Sequence, residues 1–353
     1  MLTNFEQAIG LLKQLIATPS FSKQEDKTAD LIFQFLSEQG YEPERKGNNV
    51  WVTSILSDNL PTILFNSHHD TVKPASSWTM DPFTPVEKDG KLYGLGSNDA
   101  GASIVSLMQT FFYFANQPNR SFNLIYSATA EEEISGKNGI EIILDEFGKI
   151  DLAIVGEPTQ MQMAVAGKGL MVLDCKTKGK TGHAARNEGI NAIYLALEDI
   201  EWFRTFKFPE ESPLLGPVKM SVTLINSGTQ HNVVPDECTY VVDIRTNELY
   251  KNIQALDIIR QHVKHSEVTP RSTNLNSSGI SIDHPLVKRG LKLGLTYYGS
   301  PTSSDQMKIP YPSMKIGPGD SARSHSADEF VYVEEIKKGV EIYVKLIEDL
   351  SFK

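Results

Sequence analysis

Pro61-Thr62-Ile63-Leu64-Phe65-Asn66-Ser67-His68-His69-Asp70 opens as a short, continuously apolar strand and closes on two imidazoles and a carboxylate. A strand of this length without polar alternation is covered on both faces, as in a parallel sheet with helices on either side. The pattern recurs three times. Residues 122–127 lead into Ala128-Thr129-Ala130-Glu131-Glu132-Glu133, and residues 151–155 lead into Gly156-Glu157-Pro158. Residues 312–316 lead into Gly317-Pro318-Gly319-Asp320 and then Ser324-His325-Ser326. Between the first two strands, residues 101–115 set Ile104, Leu107, Met108, Phe111 and Phe112 at helical spacing. Sites in open α/β sheets lie beyond the carboxyl ends of parallel strands. Four strands therefore bring His, Glu, Glu and His to one edge. Asp99, in Gly94-Leu95-Gly96-Ser97-Asn98-Asp99 just ahead of the helix, is a fifth candidate.

The middle of the chain reads differently. Residues 218–225 set Met220, Val222 and Leu224 on one face, and residues 238–244 do the same with Cys238, Tyr240, Val242 and Ile244. A two-residue period marks strands with one face buried and one wet. Helices fit 190–206 and 253–265. The order strand–helix–strand–strand–helix–strand over 165–275 predicts an open-faced α+β unit of the ferredoxin-like kind. Beyond 285 the α/β character returns, with a helix expected over 285–298, a short strand at 312–316 and a closing helix over 333–347. The expected organisation is an α/β domain with a mostly parallel sheet, residues 1–164 and 276–353, interrupted by an α+β insertion at 165–275.

Composition narrows the function. The 353 residues carry a formal net charge of −10, which argues against a broadly basic nucleic-acid surface. No apolar run reaches the roughly 18–20 residues of a membrane span. Phe5, Ile9, Leu12 and Ile16 recur at helical spacing with Glu6 and Gln7 between them, an amphipathic helix and not a signal peptide. The two cysteines, Cys175 and Cys238, form no C-x-x-C pair, so neither a disulfide scaffold nor a thiolate zinc site is expected. A cytoplasmic protein is the expectation. Gly94-x-Gly96 lacks the third glycine of a dinucleotide fingerprint, and no P-loop, H-E-x-x-H or G-x-S-x-G occurs.

Two imidazoles and three carboxylates form a nitrogen and oxygen donor set suited to Zn²⁺, with Co²⁺ or Mn²⁺ as alternatives. One carboxylate shared by two ions gives a centre that polarises a carbonyl and activates water. A further carboxylate outside the ligand set must then accept the water's proton, and Glu132 is placed for it. Asp70, two residues after His68, is placed to accept the second ring N–H and fix the tautomer. Each residue also has a plainer reading: His68 as a polar strand end, 131–133 as a solvated loop, Asp99 as a helix cap. Their convergence on one edge favours the metal reading.

With those motifs in hand, the chain resembles the co-catalytic zinc amidohydrolases that include acetylornithine deacetylase, succinyl-diaminopimelate desuccinylase, aminoacylases and dipeptidases. The likeness runs from about Ile16 to Val331, and residues 78–96 look most like acetylornithine deacetylases. It implies that His68, Asp99 and Glu157 hold one zinc and that Asp99, Glu133 and His325 hold the other. Glu132 becomes the general base, and Asp70 the orienting carboxylate. The likeness also implies that the insertion is a lid and dimerisation domain. His183, in Gly182-His183-Ala184-Ala185, would then stabilise the oxyanion in the neighbouring subunit, while Asn232 and Arg245 contact substrate. The implied activity removes an acetyl or succinyl group from the nitrogen of a small amino acid such as ornithine, in arginine biosynthesis. Alternatives are a desuccinylase of succinyl-diaminopimelate, a dipeptidase or aminoacylase, or, from another class, a non-catalytic binding protein. The implied partners are a small N-acyl amino acid and a second copy of the chain, with no nucleic acid and no membrane. Two departures stand out: Gly101 where the family usually has Lys, and Ser67 where it usually has Gly.

Overall fold

The computed structural model describes residues 5–186, 188–348 and 350–352. The chain divides into two units, Met1–Val165 with Gly279–Tyr298 and Ser304–Lys353, and Ala166–Ser278 with Gly299–Ser303. Its elements begin with α1 (Phe5–Ile16), α2 (Asp26–Glu38), β1 (Glu44–Lys46), β2 (Asn49–Ser54) and β3 (Thr62–His68). They continue with β4 (Val86–Lys88), β5 (Lys91–Tyr93), α3 (Ala102–Ala115), β6 (Asn123–Thr129), β7 (Leu152–Val155) and β8 (Met163–Gly167). Then come β9 (Met171–Lys178), β10 (Gly182–His183), α4 (Ala192–Thr205), β11 (Lys219–Ser227), β12 (Val233–Val234), β13 (Glu237–Arg245), α5 (Asn252–His262) and β14 (Ser266–Pro270). The chain closes with β15 (Ser278–Gly279), α6 (Pro285–Lys292), β16 (Tyr297–Ser300), β17 (Ser313–Lys315), β18 (Phe330–Tyr332) and α7 (Val333–Ile347).

The large sheet runs β1-β2-β6-β3-β7-β17-β8-β15. Its centre, β6, β3, β7 and β17, is parallel throughout, and β2 and β8 flank it antiparallel. Every residue of β3 and β6 is buried, as a strand covered on both faces requires. On one face the Tyr126 hydroxyl donates to the Ile104 carbonyl of α3 at 3.3 Å. On the other, Leu64, Ile125, Ala153 and Val155 pack with Trp51, Ile140, Phe147 and Ile309. The class is α/β, as the uninterrupted apolar strands imply.

The second unit has a separate sheet, β11-β13-β9-β14, with antiparallel pairings. Along β13, Cys238, Tyr240, Val242 and Ile244 are buried against Phe203, Leu256 and Ile259. The two-residue period fails at one place. A bulge between Val222 and Leu224 shifts the register by one, so Leu224 turns outward and is 58% exposed. A second correction concerns the helix expected over 285–298, which ends at Lys292. Gly294 sits at φ +85°, and the Leu295 N–H returns to the Gly290 carbonyl at 3.0 Å, a left-handed stop that releases the chain into β16. Among the described residues no helix is long and apolar enough to cross a membrane.

Gly101 shows why a side chain is missing there. Its backbone is helical, at φ −59° and ψ −36°, where alanine normally stabilises by about 0.4–1 kcal/mol. A Cβ would however lie 2.5 Å from the Gly96 carbonyl oxygen and 2.6 Å from Leu12 Cδ1. Gly101→Ala is therefore expected to lower the stability read from a urea melt by about 1–3 kcal/mol. A stabilised variant would contradict this packing.

Candidate active site

The strand ends deliver the predicted side chains to one place. His68 ends β3, Thr129 ends β6 three residues before Glu132, and Glu157 follows β7 by two residues. His68 Nε2 lies 3.2 Å from Asp99 Oδ1, 3.9 Å from Glu132 Oε2 and 4.0 Å from Glu157 Oε1. His325 Nε2 lies 3.0 Å from Glu133 Oε2 and 3.7 Å from Asp99 Oδ2. The two oxygens of Asp99 thus face different imidazoles. Among the described residues, two sets have donor atoms that all lie within 4.8 Å of one another: His68 with Asp99 and Glu133, and His68 with Glu132 and Glu157. Glu132 therefore stands close enough to be a donor itself, which its spacing in the chain did not reveal. His325 is more open than the rest, with 55% of its side chain exposed.

Buried acceptors fix the loops that carry these groups. Asp70 accepts the N–H groups of Glu132 and Glu133 at 3.0 and 3.1 Å and the Ser22 hydroxyl at 2.6 Å. Toward His68 its role is shared. Nδ1 lies 3.0 Å from the Asp70 main-chain carbonyl and 3.4 Å from its carboxylate, so the nearer acceptor is the carbonyl. Glu329 accepts the N–H groups of Gly96, Asn98 and Asp99 at 3.2, 2.9 and 2.9 Å, which holds the turn that presents Asp99. The Asn98 side chain joins that turn to the His325 loop, accepting from Asp320 N–H at 2.9 Å and donating to its carbonyl at 3.0 Å. Glu131 has a left-handed backbone at φ +56°. Its N–H donates to Glu25 at 3.2 Å, and its carboxylate accepts from the Asn138 side chain at 2.9 Å. Ser67 donates its hydroxyl to the Gly156 carbonyl at 2.9 Å and so ties β3 to the turn carrying Glu157.

Crowding of like charges sets the electrostatics. Burial raises the pKa of Glu132 well above the usual carboxylate range, and the negative charges of Glu157, Asp305 and Glu133 raise it further. Glu157 is pushed up to about 8, by burial and then by Asp99. Burial alone would lower His68, but Asp70, Asp99, Glu132 and Glu157 overcome it and hold the imidazole well above its ordinary value. Hydrogen bonding to Glu133 lifts His325 to about 9. Burial would raise Asp99, yet its contact with His68 leaves it lowered. Together these residues form a cluster that retains protons when nothing else supplies positive charge.

Three further buried charged residues lie outside the predicted site set. Asp305 is buried and accepts from the Thr129 hydroxyl at 2.6 Å and the Asn66 amide at 3.2 Å, bracing β6 and β3 from below. Lys315 is buried at the end of β17. Glu329 follows His325 by four residues. A buried lysine in an apolar strand was the one signal in the sequence that could have drawn attention. His183, Asn232 and Arg245 belong to the second unit. His183 lies on β10 and Asn232 just before β12, exposed. Arg245 ends β13, its guanidinium held by Asp243 at 2.8 and 3.1 Å and donating to Ser303 Oγ at 3.0 Å.

The model of peptidase family M20/M25/M40 matches residues 64–349. An acetylornithine deacetylase from Proteus mirabilis is 29% identical over 97% of this chain and 96% of its own length. A succinyl-diaminopimelate desuccinylase from Ruegeria sp. is 25% identical over 97% and 94%. Among solved structures, the aminopeptidase PepT from Bacillus cereus superposes with a TM-score of 0.80 at 19% identity, covering 99% of this chain and all of that one. At that identity the likeness speaks for the fold alone.

The raised values predict how the metal-free protein responds to pH. His325 moves from 6.5 to about 9 and Glu157 from 4.5 to about 8. Between about pH 6.5 and 8 the folded state therefore holds protons that the unfolded chain releases, and stability falls as pH rises. The melting temperature of chelator-treated protein should drop across that window, and saturating Zn²⁺ should flatten the drop because a bound cation replaces the protons. A metal-free midpoint that climbs with pH would contradict the electrostatics.

Proposed function

The chain belongs to peptidase family M20/M25/M40, and from that premise we propose a two-zinc amidohydrolase that removes an N-acyl group, acetyl or succinyl, from a small amino acid such as ornithine. Metal-dependent amide hydrolysis is the family's chemistry, and the acyl group and amino acid are our reading. The observation that carries it is Asp99 between two imidazoles, Oδ1 toward His68 and Oδ2 toward His325. In this reading His68, Asp99 and Glu157 hold one ion, and Asp99, Glu133 and His325 hold the other. Imidazole and carboxylate donors suit Zn²⁺ and are compatible with Co²⁺ or Mn²⁺. Both thiols, Cys175 and Cys238, are buried in the core of the second unit. When bound, such an ion pair polarises the amide carbonyl and lowers the pKa of water toward neutrality.

The chain's own residues supply the rest. Glu132 takes a proton from the attacking water as its oxygen bonds the amide carbon, and delivers that proton to the nitrogen as the C–N bond breaks. Its position follows from the grip of Asp70 on the Glu132 N–H. His183 Nδ1 accepts the Ala185 N–H at 3.1 Å, which leaves the proton of the neutral ring on Nε2. An outward N–H donor is what a developing oxyanion needs. We assign His183 that role in the partner's centre, within a homodimer formed through the second unit. Support for the dimer comes from Tyr194, 69% exposed, with Leu197 on α4 and with Leu224 and Ile225 on the edge strand β11. An open strand edge beside exposed apolar side chains favours association. Arg245 and Asn232 are assigned to the substrate, with the guanidinium fork suited to its carboxylate. An acyl-ornithine substrate would place the enzyme in arginine biosynthesis, in the cytoplasm. The second reading, a desuccinylase of succinyl-diaminopimelate, is favoured by the relatives of that name.

Glu132→Ala should keep its metal content, measured by elemental analysis, and lose about 10²–10⁴-fold or more in kcat. Full turnover in that variant would sink the mechanism. Assayed side by side on acetyl-ornithine, succinyl-ornithine, succinyl-diaminopimelate and a plain dipeptide, the protein should show its highest kcat/KM on an acyl-ornithine. A preference for the dipeptide would overturn the substrate reading.

A further inference from the structure

The loop that carries Glu132 and Glu133 is gripped at both ends by one short turn. Ser304 caps a 3-10 turn over Asp305–Lys308, whose Gln306 side chain donates to the Ser313 carbonyl of β17 at 2.8 Å. Met307 is buried, so the turn is fixed to the sheet. Asp305 Oδ2 accepts the Thr129 hydroxyl at 2.6 Å, where β6 ends and the loop begins. Lys308 Nζ donates to the Gly136 carbonyl at 2.5 Å, at the far end of the loop. The Lys308 side chain is 2% exposed, and Glu141 stands 3.9 Å away, beyond hydrogen-bond reach. A lysine is almost never so deeply buried without a partner. Here the hydrogen-bonded partner is a main-chain oxygen of the loop.

The loop needs such a grip. Glu131 and Ser135 hold left-handed backbones at φ +56° and +49°, a conformation that persists in L-residues only where the surroundings enforce it. The Gly136 N–H donates to the Glu131 carbonyl at 2.8 Å, and the Ser135 N–H to the Glu132 carbonyl at 2.8 Å. Gly136 therefore cannot shift without moving the main chain on either side of Glu132. Asp70 holds the middle of the loop by the Glu132 and Glu133 N–H groups, and the turn holds its two ends.

The geometry points to the Asp305–Lys308 turn as a staple that aims Glu132, with Lys308 as a positioning residue acting through the Gly136 carbonyl. The inference rests on the reading of Glu132 as the general base. A base must stand within hydrogen-bond reach of the proton it takes, so a drift of about 1 Å in this loop lowers turnover without removing the base. Without Lys308 the Gly136 carbonyl loses its donor and that end of the loop is released.

The test uses the full chain saturated with Zn²⁺, as wild type, Lys308→Met, Thr129→Val and Glu141→Gln, each also combined with Glu132→Asp. Both kcat and KM are measured on whichever of the four amides above is hydrolysed fastest, with zinc content and melting followed alongside. Lys308→Met should lose about 10–100-fold in kcat, with KM and zinc content within about twofold of wild type. Thr129→Val, which frees the root of the loop, should change in the same direction. Glu141→Gln keeps the carbonyl bond and should keep its kcat. With Glu132→Asp, whose carboxylate is already displaced, Lys308→Met should cost less than about threefold, because both changes remove the same alignment. Equal losses in the two backgrounds, or an unchanged kcat in a Lys308→Met protein that merely melts lower, would overturn the inference. If only Thr129→Val folds, its kcat in the two backgrounds decides in the same way. Failure of both to fold would also overturn it, since the turn would then serve the fold and not the base. Wild-type turnover in Glu132→Asp alone would overturn the general-base reading and the inference with it, and that result is seen without any change at Lys308.

Discussion

Carboxylates gathered in a poorly hydrated pocket repel one another, and the rest of this structure is arranged around that repulsion. Asp99, Glu132, Glu133 and Glu157 converge on two imidazoles at the carboxyl end of a parallel sheet. Desolvation and mutual charge raise Glu132 and Glu157, and the same field raises both histidines. Such a cluster is unfavourable unless cations join it, whether protons or metal ions. The latent negative charge suits the cluster to divalent ions, as a metal-dependent family requires.

A layer of buried acceptors keeps the cluster from opening. Asp70 binds the backbone of the loop that carries Glu132 and Glu133, and Glu329 binds the backbone of the turn that carries Asp99. Asn98 joins that turn to the His325 loop, and Asp305 braces the strands of His68 and Thr129. Each contact fixes a main chain or a strand end, so the ligand side chains converge without depending on one another. That division of labour is the usual support for a metal site, in which outer contacts orient the inner donors.

How much was legible in the sequence follows from whether the signal is local. His68, Glu132, Glu133, Glu157 and His325 each follow an apolar strand, and strand ends share an edge in a parallel sheet, so their convergence could be read from order alone. Asp99 was readable because a glycine-flanked turn precedes a helix. Asp305 and Glu329 were not, since their partners lie on other elements: Asp305 meets Asn66 and Thr129, and Glu329 meets the Asp99 turn, only after the chain has folded. Asp70 was expected to orient His68 through its carboxylate, whereas the main-chain carbonyl lies nearer, and its grip on the Glu132 loop is a tertiary contact. The misread elements have local causes of another kind. One extra residue in β11 reversed the facing of Leu224, and a left-handed glycine at 294 ended a helix whose apolar spacing continued beyond it.

In the proposed function Asp99 joins two metal positions, one beside His68 and the other beside His325. X-ray absorption at the zinc edge, on protein loaded with two equivalents of Zn²⁺, addresses it most directly. Nitrogen and oxygen neighbours, no sulfur, and a zinc–zinc distance of about 3.5–4 Å are expected. Two zinc ions without a metal–metal signal, or with sulfur ligation, would contradict it.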